Sequence, residues 1–153
     1  MSRATRVQRS ALLPFAAGRI AELVWQAEAY PRFLPGCTAA EVEAELGADQ
    51  RQIALSFRLH GLSDRFTTLN RRHPDGGIDL ELVRGPFRSL RGQWRFLALD
   101  AQACKVSLDL QLDFGSRVLE ATLAPWIDRA INQVIEAFRL EAQRRADLPA
   151  APA

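Results

Sequence analysis

The sequence predicts an α+β protein in which a curved, seven-stranded antiparallel sheet wraps a long C-terminal helix, with two short helices after the first strand. Three observations predict it. Between Thr38 and Phe114, apolar residues recur with a period of two in successive runs separated by short turn signals, as in antiparallel strands that bury one face. Beyond Ser116 the period becomes helical and the apolar stripe is broad. The chain has 153 residues, 48% of them hydrophobic, enough for one domain with one core, since ~150 residues bury roughly 70% of the unfolded surface. The domain is expected to span 1–147, leaving 148–153 as a flexible tail.

Val7 to Leu13 has strand character and stops at Pro14, after which Ile20, Leu23, Val24 and Ala27 recur at helical spacing. Ala16 and Gly18 stand where a Ser, Thr or Asp cap is expected, so this first helix starts without a side-chain cap. The stretch Tyr30 to Cys37 is interrupted by Pro31 and Pro35, which leaves room for about one helical turn before a break. Tyr30, Phe33 and Leu34 need another element to bury them, and the segment reads as a lid.

In the next run Ala40, Val42, Ala44 and Leu46 alternate with Glu41, Glu43 and Glu45, and Ile53, Leu55, Phe57 and Leu59 then alternate with polar or small residues. Turns are marked at Gly47-Ala48-Asp49, His60-Gly61 and Pro74-Asp75-Gly76-Gly77. Asp64–Arg72, Ile78–Arg84, Leu90–Leu99 and Cys104–Phe114 continue the alternation, and the short connections make an antiparallel meander. Ser116 caps the final helix, whose stripe runs from Val118 through Leu123, Trp126, Ile127, Ala130, Ile131, Val134 and Ile135 to Phe138. Pro125 inside that pattern predicts a kink or a division into a short and a long piece. Leu148 to Ala153 lacks packing groups and reads as a frayed tail.

One helix covers a strongly curved sheet incompletely, so a space can remain between them. Its expected lining is Phe57, Phe66, Leu80, Leu82, Trp94 and Phe96 from the strands and Trp126, Ala130 and Val134 from the helix. Such walls suit a lipid-like ligand. Periodicity alone is equally consistent with a filled core. The indole N–H groups of Trp94 and Trp126 each require a partner, which a pocket wall supplies more readily than a dry core.

Net charge is +2, which falls short of a dedicated nucleic-acid binder. Lys105 is the only lysine among many arginines; guanidinium geometry suits phosphate, and a biased genome composition gives the same count. Cys37 and Cys104 have neither metal-ligand spacing nor a disulfide framework and read as reduced thiols in a cytosol. No apolar run approaches the ~18 residues of a membrane span. The opening Arg3, Arg6, Arg9 and Arg19 precede the first acidic residue, Glu22, as in a mitochondrial presequence, but Val7–Leu13 doubles as the first strand and its removal would damage the fold. Catalysis has little support. His60 and His73 sit beside turns, Cys104 is in phase with buried residues, Cys37 has no activating base, and no metal cluster or phosphate loop is present. No catalytic residue, metal or required cofactor is expected.

Three stretches carry a family resemblance: Tyr30-Pro31-Arg32-Phe33-Leu34-Pro35-Gly36-Cys37, Phe66-Thr67-Thr68, and Gly85-Pro86-Phe87 leading through Leu90 and Gly92 to Trp94 and Phe96. In this order and separation they resemble the coenzyme Q-binding START-like proteins and their bacterial relatives, the RatA ribosome association toxins, over about Val7 to Arg145. Ala16 and Pro125 depart from the pattern and affect local helix geometry only. The resemblance implies a helix-grip fold of the polyketide cyclase-like superfamily. It also implies a cavity that holds a polyprenyl quinone, most simply ubiquinone, in support of respiration, with Tyr30, Phe33, Leu34 and Phe87 joining its lining. A cytoplasmic protein with transient contact at the inner membrane surface follows. For the RatA branch the implied act is different: binding the large ribosomal subunit and blocking subunit association. Cyclase or aromatase activity, found elsewhere in the superfamily, is the third reading. Arg84, Arg88, Arg91 and Arg95 are the candidate ribosomal RNA contacts near one sheet edge, while Asp79, Glu81, Asp109 and Asp113 on neighbouring strands offer cross-strand ion pairs instead.

Overall fold

Alternation and turn chemistry act together to make the sheet. In the computed structural model, which describes residues 4–59 and 62–148, the chain runs β1 (Ala4–Leu13), α1 (Ala17–Trp25), a 3-10 helix (Ala27–Arg32), β2 (Cys37–Glu45), β3 (Gln50–Leu59), β4 (Leu62–Arg72), β5 (Ile78–Arg84), β6 (Ser89–Asp100), β7 (Ala103–Asp113) and α2 (Arg117–Ala146). The strands form one antiparallel sheet in the order β1-β7-β6-β5-β4-β3-β2. Strands β2 to β7 are a meander, and β1 closes the far side by pairing with β7, Val7 opposite Leu110 and Leu13 opposite Cys104. This is the predicted architecture of seven strands and a long final helix. His60 and Gly61, residues 1–3 including Arg3, and tail residues 149–153 lie outside the described residues.

Val7 and Leu13 of β1 and Val106, Leu108, Leu110 and Leu112 of β7 are buried on the inner face. The close backbone approaches of α2 are to β1 and α1, and Arg9 of β1 ties it down by donating to Asn132 at 2.8 Å and pairing with Asp128. At the other side α1 is held by guanidinium–indole stacking: Arg72 lies 4.4 Å and Arg51 5.5 Å from the Trp25 ring. The start of α1 has no side-chain cap at Ala16, as expected, whereas Ser116 accepts from the Leu119 N–H at the start of α2. Between β7 and α2 the chain reverses at Gly115, whose φ of 74° favours glycine and whose N–H donates to Asp113 at 2.8 Å.

Two local expectations are narrowed or corrected. Of the kink or division expected at Pro125, the division does not occur, since α2 is continuous through it. Proline leaves the Ala121 carbonyl without its helical partner, and both residues are exposed, so water serves that group. The alternation read across β2 also fails. Register shifts fall between Cys37 and Ala39 and between Val42 and Ala44, which turns Glu43 into a half-buried position while Leu46 is exposed beyond the strand end.

Candidate functional site

The inner face of β3 to β6 carries the candidate site. Register places Leu55 of β3 beside Phe66 of β4, Thr68 beside Leu82 of β5, Asn70 beside Leu80, and Ile78 beside Trp94 of β6. Glycine at 92 serves this surface: a Cβ there would lie 2.8 Å from Leu110 Cδ2 and 3.2 Å from Leu80 Cδ1. At one end α1 packs against β6 and its Trp25 against Arg51 and Arg72 of β3 and β4, and α2 makes its close backbone approaches to β1 and α1.

The predicted lining divides into two groups. Trp94 is 5% exposed and Phe138 of α2 is 2% exposed, with ring centroids 5.6 Å apart and edge-to-face. Tyr30 and Phe33 meet the same Phe138 ring at 5.5 and 5.4 Å. This end is packed shut. The Tyr30 hydroxyl donates to the Val24 carbonyl, and burial pushes its pKa well above the usual phenol range, so Tyr30 is a structural anchor with its polar group already used. The lid reading changes accordingly. Tyr30 and Phe33 plug the closed end, Leu34 packs beside them, and the other side of Phe33 lines a separate groove of about 500 Å³ against Pro35, Leu140 and Glu141 on the outer side of α2.

The second group is only partly covered, though Leu80, Leu82, Phe87, Phe96 and Val134 pack against the core. Phe57, Phe66, Leu80, Leu82, Phe87, Phe96, Trp126, Ala130 and Val134 are all half-buried, although the sheet register points the strand members inward. Phe57, Phe66 and Phe87 form a chain of rings, with centroids 5.4 and 6.2 Å apart, that ends on buried Phe114 at 5.6 Å. Phe96 stacks on Trp94, and the Trp126 ring has the Arg129 guanidinium 5.3 Å away. Twelve residues separate Trp126 from Phe138, about 18 Å along a helix. Trp94, packed on Phe138, and Trp126 therefore lie at opposite ends of the Trp126–Phe138 stretch of α2.

Two side chains on this surface were not assigned to the lining by the sequence reading, which had Thr68 only in the Phe66-Thr67-Thr68 stretch and Asn70 not at all. Thr68 and Asn70 are in phase with Phe66, so β4 presents a polar pair where its neighbours present Ile53, Leu80 and Leu82. The signal was available as two polar residues at inward positions of a strand bounded by apolar ones.

The four candidate arginines do not form one patch, and they lie on β5, β6 and the connection between them, central strands rather than an edge. Arg84 donates to both carboxylate oxygens of Glu43 at 2.7 and 2.6 Å. Burial pushes Glu43 up, but hydrogen bonds from Gln52 and Thr67 and the charges of Arg84 and Arg65 hold it below the usual carboxylate range. Arg91 lies 4.0 Å from Glu81, the cross-strand pairing expected of a solvated face, and Arg95 donates to Gln93. Arg88 is exposed in the connecting loop. His73 sits 2.8 Å from Asp79. Burial pushes the thiols of Cys37 and Cys104 up, away from the reactive thiolate. Among the described residues no cluster of His, Cys, Asp and Glu could hold a metal, and no helix is long and apolar enough to cross a membrane.

Comparison with known proteins adds three findings. The profile of the family described as "Polyketide cyclase / dehydrase and lipid transport" matches residues 15–139. Curated relatives are named "Ribosome association toxin RatA": that of Pseudomonas aeruginosa is 42% identical over 88% of this chain and 92% of its own length, and that of Escherichia coli K12 is 31% identical over 90% and 87%. Among solved structures, the Streptomyces Zhui aromatase/cyclase superposes with a TM-score of 0.87 at 17% identity, covering 98% of this chain and 100% of that one. An 18 kDa protein of Caulobacter crescentus does so with 0.77 at 28% identity, covering 94% and 99%. The first of these shows the fold alone.

Proposed function

Because the chain belongs to the polyketide cyclase/dehydrase and lipid transport family, and its relatives are named as ribosome association toxins, we propose that it acts on the ribosome by binding the large subunit and interfering with subunit association. The observation that carries this reading is the match, at 42% identity over nearly the full length of both chains, to the Pseudomonas protein of that name. The partner implies work in the cytoplasm. Arg88, Arg91 and Arg95 are the members of the arginine set available to phosphate; Arg84 is held by Glu43. The test is sedimentation of the purified chain with separated ribosomal subunits. Copelleting with the large subunit and a reduced yield of joined ribosomes support the reading, and a protein that stays at the top of the gradient with either subunit overturns it.

A second reading has its own observation. The inward side chains of β3 to β6 stay half-buried beneath α2, which supports an apolar ligand in that space, with a ubiquinone-like isoprenoid as the specific proposal and peripheral contact with the inner membrane as its route. The surroundings of His73, Cys37 and Cys104 support binding rather than cyclase chemistry. Solvent extraction of the purified protein followed by mass spectrometry tests it. A stoichiometric isoprenoid supports the reading, and protein that returns no lipid after exposure to quinone-containing vesicles overturns it.

A further inference from the structure

The pair Thr68 and Asn70 gives the apolar wall a direction. Thr68 is 4% and Asn70 7% exposed, and both lie on the inner face of β4, Thr68 between Ile53 and Leu82 and Asn70 between Arg51 and Leu80. The Thr68 hydroxyl donates to Asn70 Oδ1 at 2.6 Å. That bond orients the amide, occupies its oxygen and leaves its NH2 group without a protein acceptor among the described residues. Yet no wholly buried side-chain nitrogen or oxygen among them lacks a partner. The Asn70 NH2 therefore borders open space.

A buried donor is costly to leave unmade, on the order of 1–3 kcal/mol, and neither cross-strand neighbour, the guanidinium of Arg51 on one side or Leu80 on the other, has a side-chain acceptor to offer. We propose that Thr68 and Asn70 form a hydrogen-bonding site that fixes the carbonyl oxygen of an otherwise apolar ligand deep in the space beneath α2. This inference rests on the ligand-binding reading above. Asn70 lies four residues from Phe66 along β4, about 13 Å at strand rise. The carbonyl end of the ligand sits inside, and the hydrocarbon end runs past Leu82 toward Phe66 and Phe57. The ligand class is a ketone, quinone or ester on a hydrocarbon body. Thr68 is a positioning residue, since it acts by holding the amide.

The experiment compares two probes of equal size on the full chain, 2-acetylnaphthalene and 2-isopropylnaphthalene, which differ in carrying a carbonyl oxygen or a methyl group. The ratio of their affinities in the wild type is set against that in Asn70→Leu and in Thr68→Val. Asn70→Leu should lower the ketone's relative affinity about fivefold, the size of one net hydrogen bond, and leave the hydrocarbon bound as before. Thr68→Val should lower it by a smaller factor. An independent readout needs no variant: the carbonyl 13C resonance of labelled ketone should move downfield of its position in hydrocarbon solvent when bound. An unchanged ratio in folded Asn70→Leu, or a bound resonance at the hydrocarbon position, overturns the assignment while leaving the cavity intact. Failure of both probes to bind the wild type overturns the cavity reading and this one with it.

Discussion

The two ends of the inner sheet face beneath α2 are built from the same kinds of residue and are buried to different extents. At the closed end Phe138 meets Tyr30, Phe33 and Trp94 edge-to-face, because α1 and the 3-10 helix bring a third layer between sheet and helix. At the other end Phe57, Phe66, Leu82, Trp126 and Ala130 are equally apolar and stay half-buried, where no such third layer is packed. An apolar stripe states that a face is to be kept from water. What lies opposite decides whether it becomes core or cavity, and that is a property of topology rather than of the strand.

The sharpest way to break this comparison is truncation at the hub of the closed end. Phe138→Ala removes a side chain with three ring partners and should cost about 3–5 kcal/mol, read as a lower urea midpoint. A loss no larger than that from truncating Phe57 would mean that the two ends are not packed differently.

The open half of α2 is also the less secured half, since it contains Pro125. An interior proline costs roughly 3 kcal/mol relative to alanine, and the stiffer unfolded chain returns up to about 1. Pro125→Ala should therefore stabilise the protein by about 2 kcal/mol in the same urea titration. No gain would show that the helix geometry here already compensates for the missing N–H.

Phe57→Ala carries the complementary expectation at the open end. Half-buried and outside the packed cluster, it should cost only about 1 kcal/mol while sharply lowering the isoprenoid recovered by extraction. A large stability loss with unchanged recovery would place Phe57 in the core instead.

How much of this was legible in the sequence follows the same division. The seven strands, their meander and the long helix were readable because periods of 2 and 3.6 and strong turns such as Pro74–Gly77 are local signals; the pairing of β1 with β7 was not, because it joins segments far apart in sequence. The apolar residues of the site were readable as a set. Their allocation to closed and open ends was not, because it depends on where α1 and the 3-10 helix dock, a contact between segments far apart in sequence. The bulge that turns Glu43 toward Arg84 was hidden behind a regular alternation of Ala, Val and Glu; Thr68 entered only as part of the Phe66-Thr67-Thr68 stretch and Asn70 not at all, because the cavity lining was read from apolar residues alone. Arg84 to Arg95 looked like a cluster in the sequence, but a central strand sends neighbouring positions to different partners.

The smallest effect distinguishes ion pairing from packing at the closed end. Glu141 follows Phe138 by one turn of α2, is buried, and accepts from Arg144 at 2.5 Å and from Arg145 at 3.3 Å. The Arg144 hydrogen bond is the main influence that lowers its pKa, burial opposes it, and Arg145 adds to the lowering. A carboxyl whose folded pKa lies below its unfolded value of about 4.3 stabilises the fold above that value and loses the contribution as pH falls through the folded one. Glu141→Gln removes the titration. Because the arginine ends are partly exposed, the loss at pH 7 should be under about 1 kcal/mol. The gap between wild type and variant in urea midpoint should then narrow below about pH 4 as the wild-type carboxyl protonates. A gap of the same size at pH 7 and pH 3 would show that Glu141 matters for how its side chain packs beside the closed end and not for its charge.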